Sequence, residues 1–292
     1  MRWEVIAVGA FAVAATVLAS LIATLATTTT VPKTTALAPF TTEATAEPAP
    51  IAGQGYSKVF DDEFDALDPA NWMNVWYNAA PPADTVFVSA GLLHLVSKRR
   101  DGFPPRGVDT RGTTNGGPDS HYSSAPMYVE ASMKMPQGAG AWPALWMTSS
   151  EHAWSHTAPC PTLNAEVDVF EGWHTALDAS HTLRSALHRN TGGWCGTSDT
   201  QVFNGADVGY DMSQRFHTYS VLVRATDVRF YVDDVLYTTF PSYDSTAQSY
   251  LFYVTSSACN PGNSCANWHD ATDASTPDDL DVQVDWFRVW TR

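Results

Sequence analysis

Apolar and polar residues alternate in many short segments along this chain. The period of two is that of a β-strand with one buried face. It is clearest at 128–135 and predicts further strands at 218–224, 228–232, 235–240, 250–255 and 282–290. Asp233-Asp234, between two of these segments, predicts a hairpin turn. Many short strands with Gly, Pro and Asn between them, and few helix signals, predict an all-β fold of two packed sheets.

Three carboxylates interrupt another β-prone segment, Glu166-Val-Asp-Val-Phe-Glu171. Glu166 and Asp168 alternate with the valines, but a regular strand would turn Glu171 towards the core. Burying an unpaired carboxylate costs several kcal/mol. The segment therefore predicts a β-bulge near Val169 and Phe170, which returns Phe170 to the core and places Glu171 on the face of the other two acids.

Three carboxylates on one strand face cannot all ionise easily, so at least one pKa should rise and leave a proton there near neutral pH. A protonated acid beside an ionised carboxylate is the equipment of glycoside hydrolysis, and a retaining enzyme needs its two carboxyls roughly 5–5.5 Å apart. A solvated strand face and a calcium site built from carboxylates are the two alternatives at this point.

The Glu-x-Asp-x-x-Glu motif resembles the active-site signature of glycoside hydrolase family 16, in the bulged form of its laminarinase-like branch. Flanking blocks resemble the same family in the same order and extend the resemblance over about 230 residues. These blocks are Phe60-Asp-Asp-Glu-Phe-Asp65 with Asn71-Trp72, Tyr128–Pro136, Gly140–Met147, Phe216–Tyr219 with Tyr231–Tyr237, and Val284–Trp290.

The resemblance implies a concanavalin-like jelly-roll sandwich of two antiparallel sheets with a concave substrate cleft. It implies a retaining, endo-acting β-glycan hydrolase, either an endo-β-1,3-glucanase or a related β-glucanase or exopolysaccharide glycanase. Glu166 would be the nucleophile, Glu171 the acid/base, and Asp168 the residue that holds Glu166; catalysis would need no cofactor. A transglycosylase with the same intermediate, a lectin on the same fold and a structural surface protein are the alternatives.

Sugar faces are apolar and pack against aromatic rings, so the resemblance also suggests substrate-binding residues. Trp142 and Trp146 lie in the block that the family places at the cleft, although Trp146 fits core packing as well. His188 lies where family members carry a histidine on the strand beside the catalytic one. Trp173 and Trp194 are further candidates because they lie in or beside loops.

A structural calcium site is also implied by the resemblance, with Glu63, Gly91 and Asp285 at the matching positions. The four cysteines predict two disulfides in an oxidising compartment. Cys259 and Cys265 lie close together in a loop and are expected to pair, which leaves Cys160 with Cys195. The other two connectivities stay open.

The first 53 residues predict a targeting segment followed by a stalk. Residues 5–26 carry no charge and indicate either a cleaved signal peptide within 1–26 or a retained signal-anchor. Residues 27–53, rich in Thr, Ala and Pro, predict a disordered stalk, and 54–292 the catalytic domain. We therefore expect a secreted or membrane-anchored protein that faces the exterior and acts as a monomer.

The net negative charge of the chain limits which kinds of molecule it is expected to bind. The formal net charge is −15 at pH 7. Such a charge argues against nucleic acids and anionic membranes as partners. It also favours a neutral polysaccharide over a sulfated or uronate-rich one, because the predicted cleft itself carries acids.

Overall fold

The computed structural model describes residues 47–74, 81–111, 123–149, 164–172, 182–191, 197–207, 211–241, 249–267 and 269–292. The described residues form sixteen β-strands and three short 3-10 helices at Ala49–Ile51, Arg99–Asp101 and Ser264–Asn267. The strands make two 8-stranded antiparallel sheets. The predicted all-β jelly-roll sandwich of two sheets is confirmed.

The first sheet has the strand order β14-β13-β12-β7-β16-β4-β3, and β1 also pairs with β16. Its strands are β1 (Ser57–Asp62), β3 (Val86–Ser89), β4 (Leu92–Lys98), β7 (Met127–Lys134), β12 (His217–Val223), β13 (Asp227–Val232), β14 (Val235–Pro241) and β16 (Asp279–Thr291).

The second sheet has the strand order β11-β10-β9-β8-β15-β5-β2, and β6 also pairs with β15. Its strands are β2 (Met73–Asn74), β5 (Arg106–Asp109), β6 (Ser123–Ser124), β8 (Ala141–Ser149), β9 (Asn164–Glu171), β10 (Thr182–Thr191), β11 (Thr197–Asp207) and β15 (Ser249–Ala258).

The main hydrophobic core lies between the two sheets. Alternate residues of β7, including Val129 and Ala131, join alternate residues of β9, including Val167, in one buried cluster. Because side chains on a strand point alternately to its two faces, this burial turns the residues between them outwards. The strand pattern read from the sequence is therefore correct and fixes which residues face the cleft.

The turn between β13 and β14 is the hairpin that the sequence predicts. Asp233 and Asp234 both have positive φ, 47° and 64°. Two central residues with positive φ define a tight turn that matches the twist of the flanking strands. Asp233 offsets some of the backbone cost, because its carboxylate accepts hydrogen bonds from the Thr218 backbone at 2.9 Å and from His217 at 2.7 Å.

Ile51, which precedes the predicted domain start at 54, packs against the first sheet. Ile51 is fully buried and clusters with Tyr128 and Trp290 on the outer face of the first sheet. Residues 1–46, with the predicted targeting segment and most of the stalk, lie outside the described residues. Within the described part of the chain, no helix has both the length and the apolar character to cross a membrane.

Candidate active site

Strand β9 carries the predicted bulge, and it lies at Val169. Across β8, Leu145 pairs with Phe170 while Trp146 pairs with Asp168, so Val169 has no partner of its own in the ladder. Val169 and Phe170 are both buried in the core. The extra residue brings Glu171 back to the outer face of the second sheet, where Glu166 and Asp168 already lie.

The backbone carbonyl of Val169, the bulged residue, accepts hydrogen bonds from two hydroxyl groups on its core side. Ser185 of β10 donates its hydroxyl to the Val169 oxygen at 2.6 Å, and the Tyr237 hydroxyl donates to the same oxygen at 3.0 Å. Tyr237 lies on β14 of the opposite sheet. A bulge leaves a ladder carbonyl without its usual partner, and a buried carbonyl needs one. These two hydroxyls therefore fix the bulge to both sheets.

The three carboxylates line one cleft on the outer face of the second sheet. Its volume is about 330 Å³. The side chain of Glu166 is 27% exposed, that of Asp168 5% and that of Glu171 16%. The lining residues are Pro105, Trp142, Ala144, Trp146, Glu166, Asp168, Glu171, Thr255 and Ser257.

The cleft raises the pKa values of all three acids. The pKa of Glu166 is raised to about 8, first by burial and then by the charge of Asp168. Burial raises the pKa of Asp168 well above its usual range, and the charge of Glu171 adds to the effect. The cluster therefore holds protons at neutral pH, as like charges in a partly dry site require.

Arg184 is a residue of the site that sequence reasoning missed. Its Nη1 donates a hydrogen bond to Oε1 of Glu171. Burial raises the pKa of Glu171, while the charge and the hydrogen bond of Arg184 lower it. The sequence predicts only that Arg184 shares a strand face with His188, because the two residues are four apart on β10; it does not predict the contact with Glu171.

His188 lies against two of the acids. Its Nε2 is 3.0 Å from Oδ2 of Asp168 and 3.8 Å from Oε1 of Glu166. In the strand register His188 is directly opposite Glu166. One ligand atom from each of these three side chains lies within 4.8 Å of the others, so they are the candidate metal ligands among the described residues.

Trp142 and Trp146 both line the cleft, on β8. The Trp146 ring stacks on Tyr253 of β15 with centroids 4.2 Å apart, so one face is packed while the residue remains partly exposed. The Trp142 ring lies 6.2 Å from that of His269. The sequence allows either core packing or a cleft position for Trp146, and the structure shows both: one face of the ring packs on Tyr253 while the residue lines the cleft.

Gly172 directly follows strand β9 and lies beside Trp142 and His269. Its φ is +55°, and a Cβ there would lie 2.5 Å from Cδ2 of His269. The Gly172 amide donates to the Pro143 carbonyl at 2.9 Å. A side chain at this position would require His269 to move and would strain the backbone, and glycine avoids both costs.

The three residues proposed as calcium ligands lie at one gap in the first sheet. Strands β4 and β1 run end to end along β16, with Leu93 opposite Val284 and Asp62 opposite Phe287. Asp285 lies at the break between them, with Gly91 and Glu63 just beyond the two strand ends.

Of the other predicted site residues, the structure describes one pair of cysteines and leaves the rest outside the described residues. Cys259 and Cys265 form a disulfide, as the sequence predicts. Trp173, Trp194 and the pair Cys160 and Cys195 lie outside the described residues.

Comparison with known protein families gives a match over most of the chain. The family described as Glycosyl hydrolases family 16 matches residues 83–288. This range contains the three carboxylates, Arg184, His188 and both tryptophans of the cleft.

Two curated proteins are similar over more than half of this chain. A keratan-sulfate endo-1,4-beta-galactosidase from Sphingobacterium multivorum is 27% identical over 165 residues, which is 56% of this chain and 36% of that protein. A beta-glucanase from Rhodothermus marinus is 25% identical over 207 residues, which is 63% of this chain and 65% of that protein. The chain thus spans about a third of one relative and just under two thirds of the other.

Among solved structures, the endo-beta-1,3-glucanase from Pyrococcus furiosus has the same fold. The TM-score is 0.61 at 18% identity, and the match covers 81% of this chain and 94% of that one. At this identity the likeness concerns the arrangement of the sheets.

Proposed function

The chain belongs to glycosyl hydrolases family 16, and on that premise we propose that it is a retaining, endo-acting hydrolase of β-linked glycans. The observation that carries the proposal is the bulged strand β9, which aligns Glu166, Asp168 and Glu171 along one cleft. A lectin would need a cleft but no such set of partly buried acids. The electrostatic cost of holding three carboxyls together favours a catalytic use.

Glu166 is the proposed nucleophile, and Glu171 is the proposed acid/base. Glu166 attacks the anomeric carbon while Glu171 gives a proton to the leaving oxygen, which yields a glycosyl-enzyme and a shortened chain. Glu171 then takes a proton from water, which attacks the same carbon and releases Glu166. Two displacements at one carbon retain its configuration. No step of this reaction needs a cofactor.

Asp168 is the proposed proton-holding partner of Glu166. Turnover requires a charge on Glu166 and a proton on Glu171. The pKa of Asp168 is raised well above its usual range, mainly by burial, which favours the protonated form of this carboxyl. Donation of that proton to Glu166 would stabilise the charged nucleophile, and His188 beside both acids would orient the pair.

Trp142 and Trp146 are the proposed sugar platforms of the cleft. The Trp146 ring is fixed by its stack on Tyr253, so little side-chain entropy is lost when a pyranose packs against it. Trp173 and Trp194 remain proposed contacts from outside the described part of the chain.

We propose a neutral β-glucan as the substrate, with β-1,3-linked glucan first. The similarity to the Rhodothermus marinus beta-glucanase and the net charge of −15 support this choice. The full-length chain should be incubated with β-1,3-glucan, mixed-linkage glucan, agarose and keratan sulfate, while reducing ends and product anomers are followed by NMR. Early release of β-anomers from a glucan is expected, whereas α-anomers would refute retention and inactivity on all four glycans would favour the lectin.

Removing the charge of Arg184 should move the alkaline limb of the pH profile to higher pH. Glu171 must be protonated for the first step, so activity falls as the pH rises through its pKa. Arg184 lowers that pKa, and in Arg184→Gln the pKa should therefore be higher. The pH profile of kcat/KM measures the shift, with Arg184→Lys as the matched variant that keeps the charge. A limb that stays in place or moves to lower pH in Arg184→Gln would contradict this role.

We also propose a structural calcium at the gap between β1 and β4. Burial raises the pKa of Asp285 although the Ser132 hydrogen bond and the charge of Arg288 lower it, and a bound cation would stabilise the charged carboxylate further. Its carboxylate, the Gly91 carbonyl and Glu63 are the hard oxygen ligands that calcium prefers. Glu63 accepts a hydrogen bond from Arg288 through Oε1 and would share its carboxylate between the two cations.

Calcium should therefore raise the thermal unfolding midpoint, and Asp285→Asn should abolish the effect. Binding to the folded state alone stabilises by about 2.7 kcal/mol when free calcium is about 100 times Kd. The measurement is thermal unfolding in calcium and in EDTA, with Asp278→Asn as the exposed control. An equal shift in Asp285→Asn would show that calcium binds elsewhere.

The proposed place of action is outside the cytosol, either free or attached through residues 5–26. The disulfide between Cys259 and Cys265 supports an oxidising compartment. A monomer is the proposed working form.

A further inference from the structure

A second cavity lies on the outer face of the first sheet, at the edge formed by β3, β4 and β16. Leu93, Leu95 and Val282 of these strands are buried in the core. The residues that alternate with them, His94 and Asp281, therefore point away from the core and from the second sheet. The cavity has a volume of about 520 Å³ and is lined by Ala83, Asp84, Phe87, Ser89, His94, Val96, Lys98, Asp279 and Asp281.

A serine, a histidine and an aspartate are connected in series along this cavity. Ser89 Oγ lies 3.1 Å from Nε2 of His94, and Nδ1 of the same ring lies 2.9 Å from Oδ2 of Asp281. An aspartate at Nδ1 selects the tautomer that carries its proton there. Nε2 then has a lone pair for the Ser89 hydroxyl proton, which is the relation between base and nucleophile in acyl transfer.

Neighbouring side chains hold the base and its carboxylate in place. The His94 ring stacks on Phe87 with centroids 4.7 Å apart and planes inclined by 8°. Gln283 donates its side-chain amide to Oδ2 of Asp281 at 2.9 Å. His94 is thus fixed by a ring on one strand and a supported carboxylate on another, so its orientation does not depend on a bound ligand.

Ser89 lies at the open side of the cavity. Ser89 is exposed and ends β3, just before a tight turn in which Ala90 and Gly91 have φ of 52° and 73°. The Lys98 ammonium lines the same cavity, 3.4 Å from Asp84 and 3.2 Å from Asp279. The Lys98 charge is therefore balanced by two acids of the same lining.

We propose that Ser89, His94 and Asp281 form a second catalytic site, which hydrolyses small carboxylic esters such as acetyl groups on sugar hydroxyls. His94 takes the hydroxyl proton as Ser89 Oγ attacks the ester carbonyl. The tetrahedral intermediate expels the alcohol, which receives that proton from His94, and the acyl group remains on Ser89. Water then attacks the acyl-serine with His94 as base, releases the carboxylic acid and restores the hydroxyl.

The size and lining of the cavity define the acyl group. Val96 is only 4% exposed and the Phe87 ring is stacked on His94, so the apolar surface suits a short acyl group. Asp84, Asp279 and Asp281 disfavour an anionic acyl group such as succinyl. The site lies on the face of the sandwich opposite to the carboxylate cleft. The two reactions would therefore proceed independently on one chain.

Two measurements on the full-length chain test the proposal. A fluorophosphonate probe should label wild-type protein on Ser89, located by peptide mass, with loss of fluoride. Hydrolysis of p-nitrophenyl acetate should fall by at least about 100-fold in Ser89→Ala and His94→Gln, because each removes a partner of the proton transfer. Ser57→Ala, an exposed serine on a strand of the same sheet, should match the wild type.

Ser89→Ala should keep the thermal midpoint and the glycan hydrolysis of the wild type, since the residue is exposed and lies outside the carboxylate cleft. If His94→Gln does not fold, the ester hydrolysis of Ser89→Ala alone tests the proposal. The absence of label on wild-type Ser89, or ester hydrolysis in Ser89→Ala equal to that of the wild type, would overturn the proposal.

Discussion

Glu166→Gln should lower glycan hydrolysis by roughly 10⁴-fold while the protein remains folded. The amide has nearly the same shape as the carboxylate but cannot form the glycosyl-enzyme. Its thermal midpoint should not fall at neutral or higher pH, because burial and Asp168 raise the pKa of Glu166 to about 8 and its charge is therefore destabilising in the folded state. Initial rates of reducing-end release and thermal unfolding measure the two effects.

A chemical rescue distinguishes loss of a nucleophile from loss of structure. In Glu166→Ala, azide should occupy the vacated space and attack a dinitrophenyl β-glycoside, which gives an α-glycosyl azide. Asp278→Asn, which removes a carboxylate whose side chain is 89% exposed, is the control and should retain full activity. Wild-type activity in Glu166→Gln, or a β-azide from Glu166→Ala, would exclude Glu166 as the nucleophile.

Glu171→Gln should lower turnover of the glycan by about 10² to 10⁴, the usual contribution of a general acid. The loss should depend on the leaving group. Dinitrophenolate leaves without a proton, so the first step on a dinitrophenyl glycoside should remain fast and give a burst, followed by slow breakdown of the intermediate. Pre-steady-state release of dinitrophenol measures the burst.

The two alanine variants should thus give azide products of opposite anomeric configuration, and each variant serves as a control for the other. Azide added to Glu171→Ala should give a β-glycosyl azide, because it attacks the glycosyl-enzyme from the face that water uses. Equal losses on the glycan and on the dinitrophenyl glycoside, without a burst, would contradict acid/base catalysis by Glu171.

The bulge shows what a sequence can reveal about a site. Glu171 breaks the alternation of its strand, and the free-energy cost of burying it is large enough to predict a change of register near Val169. The structure has the bulge at that residue. The strands at 128–135 and 282–290 were predictable for the same reason, since each presents one apolar face to the core.

The alternation of apolar and polar residues does not predict which side chains of paired or packed strands meet. Arg184 reaches Glu171 only because β10 and β9 pair in one of several registers that local pattern allows. The support of the Val169 carbonyl by Tyr237 requires the packing of one sheet on the other. Ser89, His94 and Asp281 come from three strands, and Asp281 follows His94 by 187 residues. Long-range register decides these neighbours.

Trapping of the covalent intermediate tests the central claim most directly. A 2-deoxy-2-fluoro β-glycoside with a dinitrophenyl leaving group slows breakdown of the glycosyl-enzyme more than its formation, so the sugar remains on the nucleophile. Mass spectrometry of the digested protein should then place one fluorosugar on Glu166, and Glu166→Gln should carry none. A fluorosugar on Glu171 or Asp168, or hydrolysis of the trapping substrate to an α-anomer without any adduct, would contradict the assignment of Glu166 as the nucleophile.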